Sequence, residues 1–517
     1  MQPRGYLIVV PLRGISQLLI MDIVTVITAT ALLLIAIGIG HRGNGSWVIL
    51  AGFALGIGAV IARLWSGGGF IQVIIELLRD GGISLLLAAA YMGFRKLAEN
   101  ARPFVILGVA SLALAGLLFG AKHLWQSIWH QTEQSVLVEL GPDDSILEVE
   151  DILERFAETW ERAFPELTLA EDVDLAQVYL ISVSSRRAEA MMSALRADTE
   201  NVDHVEFNVE ISLSLPPSDE IEDQSGSTVL ENDPYVAQQW ALDAIQAHEA
   251  HAVLENTSPV RKARVAILDT GVESDHEDLQ AVYSTGVTRD EHGHGTHCAG
   301  IAGATTNNGL GVASLNWEGR FIELLGFQAL GDAGRGSIEQ IAQAIIDATR
   351  ARADVISMSL GSKSDVQPRV LTNAVEYAIN RGVIVAASAG NANEDAIDHF
   401  PSNIDGVIAV AAVDRDLAKA GFSNTVGSLS RPIAAPGVDL VSSFLEGTYK
   451  PMSGTSMATP VVTGLLGVMR SMNPELTADE AYLILHETAT EVTDTPVVGR
   501  VIDASAALER TMRTATL

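Results

Sequence analysis

Three short segments carry residue types that could together perform nucleophilic acyl chemistry. Val265-Ala266-Ile267-Leu268-Asp269-Thr270-Gly271 ends an apolar run on a carboxylate. His292-Gly293-His294-Gly295-Thr296-His297 presents an imidazole between glycines, and Gly454-Thr455-Ser456-Met457-Ala458-Thr459-Pro460 presents a hydroxyl. A serine hydroxyl is a poor nucleophile at neutral pH, so it needs a base within hydrogen-bond reach, and the base needs a third group to hold its tautomer. Ser456 is the candidate nucleophile, His294 the base and Asp269 the orienting carboxylate. A metal pair at His294 and His297 is the competing reading, but no third ligand of zinc-site spacing follows it.

These side chains need rigid supports. Residues 265–268 read as a buried strand that delivers Asp269 at its C-terminal end. Residues 296–304, rich in small side chains, read as a closely packed helix opened by His294. A second helix is expected over residues 457–469, with Pro460 in its first turn, where a missing N–H costs least. Residues 383–389 form another apolar run, and it ends at Gly390-Asn391. Cys298 lies one helical turn after His294 and reads as a small buried residue.

The three segments, in the order Asp, His, Ser and with their flanks, resemble the subtilase family of serine proteases. The resemblance runs from Asn232-Asp233-Pro234-Tyr235-Val236-Ala237-Gln238-Gln239-Trp240, similar to the start of many mature subtilases, through Ala434-Ala435-Pro436-Gly437 to Gly499-Arg500-Val501-Ile502-Asp503. It implies an α/β fold, a mostly parallel sheet flanked by helices, with apolar strands near residues 355–360, 383–387 and 407–413. It implies that Asn391, with the Ser456 backbone N–H, forms an oxyanion hole. It also implies that substrate peptide pairs with two extended edges, Ser359-Leu360-Gly361 and Gly334-Arg335-Gly336. Residues 393–399 would border the pocket for the residue before the cleaved bond. Glu394, Asp395 and Asp398 there could favour a basic side chain or form a solvated acidic loop. No cofactor is implied for catalysis. Calcium is implied as a structural ion, held by Asp233, Asp278 and Asn308 with carbonyls near Thr306, Leu310 and Val312, all oxygen donors.

Composition divides the chain. Residues 1–130 hold 9 of the 33 Lys and Arg and 4 of the 64 Asp and Glu, which leaves 24 basic against 60 acidic residues in the remainder. Such acidity argues against nucleic acid as a partner. Residues 1–130 read as a membrane region with three or four hydrophobic spans. Residues 23–40, 47–62 and 103–121 can each cross the hydrocarbon as a helix, whereas 70–94 is interrupted by Glu76, Arg79, Asp80 and Gly81-Gly82. With three crossings, Arg4, Arg13, Arg63, Arg79, Arg95, Lys96 and Arg102 share one side. The positive-inside rule then makes a multi-pass protein with its C-terminal domain extracytoplasmic and the lipid bilayer a partner.

Residues 131–215 read as a separate module. A strand at 135–140, a helix at 145–164, a strand at 178–183, a helix at 185–197 and a strand at 202–213, with another strand possible at 167–169, suggest a ferredoxin-like α+β fold. It is similar to the propeptide that subtilases carry, with an unrelated spacer as the alternative. Residues 216–231 are acidic and aperiodic and read as a flexible linker open to self-cleavage near Asn232. Residues 232–517 complete the chain as the catalytic domain. The expectation is a membrane-anchored, self-processed serine endopeptidase acting on peptides or proteins. The alternative is a membrane sensor or signalling protein with a regulated or inactive subtilase domain.

Overall fold

Runs of four to six residues buried at every position are what a sheet covered on both faces demands, and Val355–Met358 and Ile408–Val413 are such runs, apolar but for Ser357. The computed structural model describes residues 133–218 and 230–515. The expected membrane spans within residues 1–130 lie outside the described residues. Among those described, no helix is long and apolar enough to cross a membrane.

Eight strands form one sheet in the order Arg500–Val501, Pro432–Pro436, Ile408–Val413, Ile384–Ser388, Val355–Met358, Ala263–Asp269, Ile322–Gln328 and Tyr283–Gly286. Every adjacent pair is parallel. Alternation along Ala263–Asp269 sends Val265 and Ile267 to one face and Ala266 and Leu268 to the other, into two separate apolar clusters. On the first face lie the helices His294–Gly303 and Thr455–Met472, the latter buried at all positions as a central helix. On the second face lie Ile338–Arg350 and Arg369–Ile379.

The central helix begins at Thr455, earlier than expected, so Pro460 sits in its second turn. A proline there removes the N–H that would have bonded the carbonyl four residues back, which is that of Ser456. Ser359 Oγ donates to the freed carbonyl at 2.7 Å and Cys298 Sγ at 3.5 Å. The helix break thus ties the candidate nucleophile to two neighbouring elements.

Residues 133–207 run β1 (Glu133–Leu140), α1 (Glu150–Phe156), β2 (Ala157–Arg162), β3 (Val178–Ser184), α2 (Ser185–Ala197) and β4 (Val202–Phe207), with sheet order β2-β3-β1-β4. The expected helix over 145–164 ends at Phe156, because the chain turns into β2, antiparallel to β3. Residues 167–169 form no strand. One face of this sheet packs Val136 and Ile181 against Met191 and Leu195 of α2 in a core of its own. From the other side Leu137, Phe164 and Leu175 join the apolar cluster around Ile338–Arg350 and Arg369–Ile379.

Polar contacts fix the same docking. The first N–H groups of an isolated helix lack partners. Glu206 accepts from Arg369 N at 2.9 Å and Val370 N at 3.0 Å, and Asn208 Oδ1 accepts from Glu339 N at 3.0 Å. Buried Glu139 pairs with Arg369 at 2.7 Å. One carboxylate and one amide from the module therefore satisfy the N-termini of two helices, and the Glu206 charge also meets its helix dipole favourably.

Candidate active site

Asp269 is the last residue of its strand and His294 the first of its helix. Their approach requires a residue without a side chain at position 295, since a Cβ on Gly295 would stand 2.0 Å from the Gly271 carbonyl and 3.0 Å from Asp269 Cβ. His294 Nδ1 donates to Asp269 Oδ1 at 2.7 Å, with both side chains buried. Asp290, which sequence reasoning did not single out, holds the loop before the helix. Its carboxylate accepts from Thr270 Oγ1, His292 N, Gly293 N, Thr296 N and Thr296 Oγ1 at 2.8–3.0 Å.

Burial lowers the pKa of His294, but the charge and hydrogen bonding of Asp269 and Cys298 outweigh it and leave the ring well above the usual histidine value. Burial also raises the Cys298 thiol, so it stays neutral and Asp269 is the effective cause. His297 has a different task. Its Nε2 donates to the Lys450 carbonyl at 2.8 Å, and burial pulls its pKa down to about 3. The two histidines do not face a common ligand, which removes the metal-pair reading.

Ser456 is nearly fully buried, and Cys298 Sγ touches both its carbonyl, at 3.5 Å, and His294 Nδ1, at 4.0 Å. The expected Ser456–His294 hydrogen bond is not made. Ser456 Oγ donates to the Ser359 carbonyl at 3.1 Å, and His294 Nε2 is buried without a partner among the described residues. Such bonds are often long before a substrate complex forms.

Asn391 follows its strand as expected, and Thr455 sets its orientation. Asn391 Oδ1 accepts from Thr455 N and Thr455 Oγ1, both at 2.9 Å, so the NH2 end must face the cleft. There Nδ2 donates to the Ser214 carbonyl at 2.8 Å. The chain's own segment thus occupies the cleft. β5 (Glu210–Ser212) pairs antiparallel with Arg335–Ser337, with Ile211 opposite Gly336 and Ser212 opposite Arg335, and Leu213 N donates to the Gly334 carbonyl at 2.9 Å. Ile211 is buried among the residues of the second apolar cluster. Past Ser214, residues Leu215, Pro216 and Ser218 line a hollow with Lys450, Pro451, Met452 and Ser453, and Ser218 Oγ donates to Ser453 Oγ at 2.9 Å. A Cβ on Gly454 would make only ordinary contacts, 3.5 Å from Asn391 Nδ2 and 3.7 Å from Pro216, and it is the φ of +151° that favours glycine there.

Of the two expected edges, Gly334-Arg335-Gly336 carries this pairing. Ser359-Leu360-Gly361 shows no backbone bond to the segment among the described residues; Ser359 instead serves Ser456 through both its hydroxyl and its carbonyl. Glu394 is paired with Lys363 at 2.7 Å and Asp395 caps Ile397 N at 3.0 Å, which fits the solvated acidic loop over a pocket for basic side chains.

The expected cation residues converge on the loop after the histidine helix. Asp233 accepts from Asn307 N and Asn308 N, and Asp278 from Asn308 Nδ2 and Val312 N, at 2.8–3.1 Å. Burial, with the Asp278 charge adding to it, pushes Asp233 up to about 6 against these hydrogen bonds, and burial raises Asp278 as well. Two neighbouring buried carboxylates in an oxygen-rich loop fit a hard divalent cation.

The comparisons with known proteins agree with this geometry. The model of the Peptidase S8 family, described as the subtilase family, matches residues 261–502. Thermitase of Thermoactinomyces vulgaris is 37% identical over 273 residues, covering 51% of this chain and 93% of thermitase. A thermophilic serine proteinase of Bacillus sp. strain AK1 is 41% identical over 215 residues, covering 40% of this chain and 52% of that protein. Subtilisin BL of Lederbergia lenta is 36% identical over 275 residues, covering 52% of this chain and 97% of that protein.

Proposed function

Since the chain belongs to the subtilase family and is a serine endopeptidase, we propose that it is a membrane-anchored zymogen that processes itself, with residues 131–215 as its inhibitory propeptide. The observation that carries this reading is the Asn391–Ser214 contact: a carbonyl of the chain's own backbone occupies the place where a substrate carbonyl would be polarised. The β-α-β-β-α-β order and the docking of Glu206 and Asn208 on two helix N-termini support a ferredoxin-like propeptide over an unrelated spacer.

In this reading Ser456 Oγ turns from Ser359 to attack the carbonyl carbon of the scissile residue, and His294 Nε2 takes the proton. Asp269 stabilises the imidazolium, while Asn391 Nδ2 and the Ser456 N–H hold the oxyanion. His294 then gives the proton to the leaving amine, and water releases the acyl group by the reverse steps. The base must be neutral to act, and a raised pKa keeps it protonated to higher pH. The acid limb of kcat/KM should therefore lie above pH 6.5. A limb at or below 6.5 would mean that Asp269 does not dominate the ring.

The cleft argues for a different cut from the one expected near Asn232. With Ser214 at Asn391, the bond presented is Ser214–Leu215. N-terminal sequencing of the mature enzyme should find Leu215, in a fragment freed from the membrane region, whereas Ser456→Ala should stay full length and membrane-bound. A wild type that is never cut would leave residues 131–215 as a spacer. External protease should reach residues 219–229 in intact cells if the catalytic domain is extracytoplasmic; protection until lysis would reverse the orientation.

Asp233, Asp278 and Asn308 would hold calcium, whose role is charge neutralisation at the loop. Removing calcium present at about 100-fold its Kd should lower Tm by about 5–10 °C, and Asp278→Ala should abolish the difference. Equal melting curves with and without chelator would count against the ion.

A further inference from the structure

The acidic linker was expected to extend through Glu231, yet that residue is buried in the core. Its side chain is fully enclosed against His248 and His251, which lie on one face of the helix Ala247–Glu255, three residues apart. Both rings turn Nδ1 toward the same oxygen, Glu231 Oε1; the His248 contact is 2.9 Å and the His251 contact closer.

The other nitrogens determine where the protons are. His251 Nε2 lies 2.7 Å from the Ser314 carbonyl, which can only accept, so Nε2 carries the proton. A neutral His251 then aims a bare Nδ1 lone pair at a carboxylate oxygen. His248 is less constrained, because its Nε2 lies 3.3 Å from an exposed Asp243 Oδ1 that does not fix its tautomer. The His251 lone pair cannot face an oxygen anion without a cation between them or an added proton on the ring. Glu231 Oε2 is moreover buried with no hydrogen-bond partner among the described residues. An unpartnered carboxylate oxygen in the interior is costly.

We propose that Glu231, His248 and His251 form a binding site for a zinc-class divalent ion, separate from the calcium loop, that fastens the start of the catalytic domain to the helix Ala247–Glu255. Two imidazoles and one carboxylate are a donor set for zinc or cobalt, not for calcium. One ligand atom from each residue lies within 4.8 Å of the others. Metal bonds of about 2.0–2.2 Å require ligands to stand roughly 3.3 Å apart, so Glu231 must draw back from the rings to admit the ion. The Ser314 carbonyl plays the part of the outer partner that fixes the tautomer of a ligating histidine. Clasped in this way, the chain that follows the linker resists fraying.

The test uses full-length, tag-free Ser456→Ala protein, which stays whole, in excess calcium and freed of transition metals. Equilibrium dialysis against zinc or cobalt should give one tightly held ion per chain. His248→Ala and Glu231→Gln should each weaken it by more than the about 10- to 100-fold that loss of an outer-shell partner costs. Zinc should raise the Tm of the parent but not of His248→Ala, whose partly exposed site tolerates truncation if Glu231→Gln fails to fold. Asp269, His294 and Cys298 form the other donor cluster among the described residues, and Cys298→Ser controls for it. Cobalt at the proposed site gives visible d–d bands without a thiolate charge-transfer band. No saturable binding, or binding lost in Cys298→Ser and kept in His248→Ala, would overturn the proposal.

Discussion

Ser456→Ala should lower peptide hydrolysis by about 10⁶-fold, the size of loss found when subtilisin is deprived of its serine. The substitution removes one hydroxyl from a buried helix start and leaves its backbone contacts intact. The Ser456 carbonyl would still accept from Ser359 and Cys298, and the Asn391–Thr455 bonds would remain. Stability should therefore change little, and an unaltered circular dichroism spectrum and Tm should accompany the loss of activity. Residual hydrolysis of casein near the wild-type rate would remove Ser456 from the reaction.

The second large effect is expected at Asn391. Its Nδ2 is aimed by Thr455 and meets a carbonyl at 2.8 Å, so Asn391→Ala should lower kcat by about 100- to 1000-fold with a much smaller change in KM, as a donor acting mainly in the transition state requires. Thr455→Val keeps the volume but removes the hydroxyl that helps orient Asn391, and it should reproduce part of the kcat loss. A rise in KM with kcat unchanged would assign Asn391 to ground-state binding of Ser214 and peptides like it.

The triad was legible because its chemistry sits in local segments: an apolar strand ending on Asp269, a glycine-flanked His294 and a helix opened by Ser456. What completes the site was less legible, since it depends on distant partners. Thr455 orients an amide 64 positions away and Asp290 ties Thr270 of another segment to its own loop, and neither need leaves a local pattern. β2 was misread as helix because Ala157–Arg162 is a half-exposed strand whose burial does not alternate cleanly, although Thr159 and Trp160 are strand-favouring types. Residues 202–213 read as one alternating strand, but the chain leaves its sheet after Phe207, and Glu210–Ser212 pairs with the catalytic domain instead. Glu231 was assigned to the linker by its acidic neighbours, and only the fold brings two histidines to it.

Ser456, activated by His294, is the proposed nucleophile of a cleft in which the chain's own Ser214 meets Asn391. The processed enzyme, incubated with a fluorophosphonate and digested for mass spectrometry, tests it most directly. One phosphonyl adduct should form on Ser456 in step with loss of activity, and labelling of unprocessed protein, whose cleft holds Ser214, should be far slower. An active enzyme that carries the adduct on another residue, or loses activity with Ser456 unmodified, would contradict this assignment.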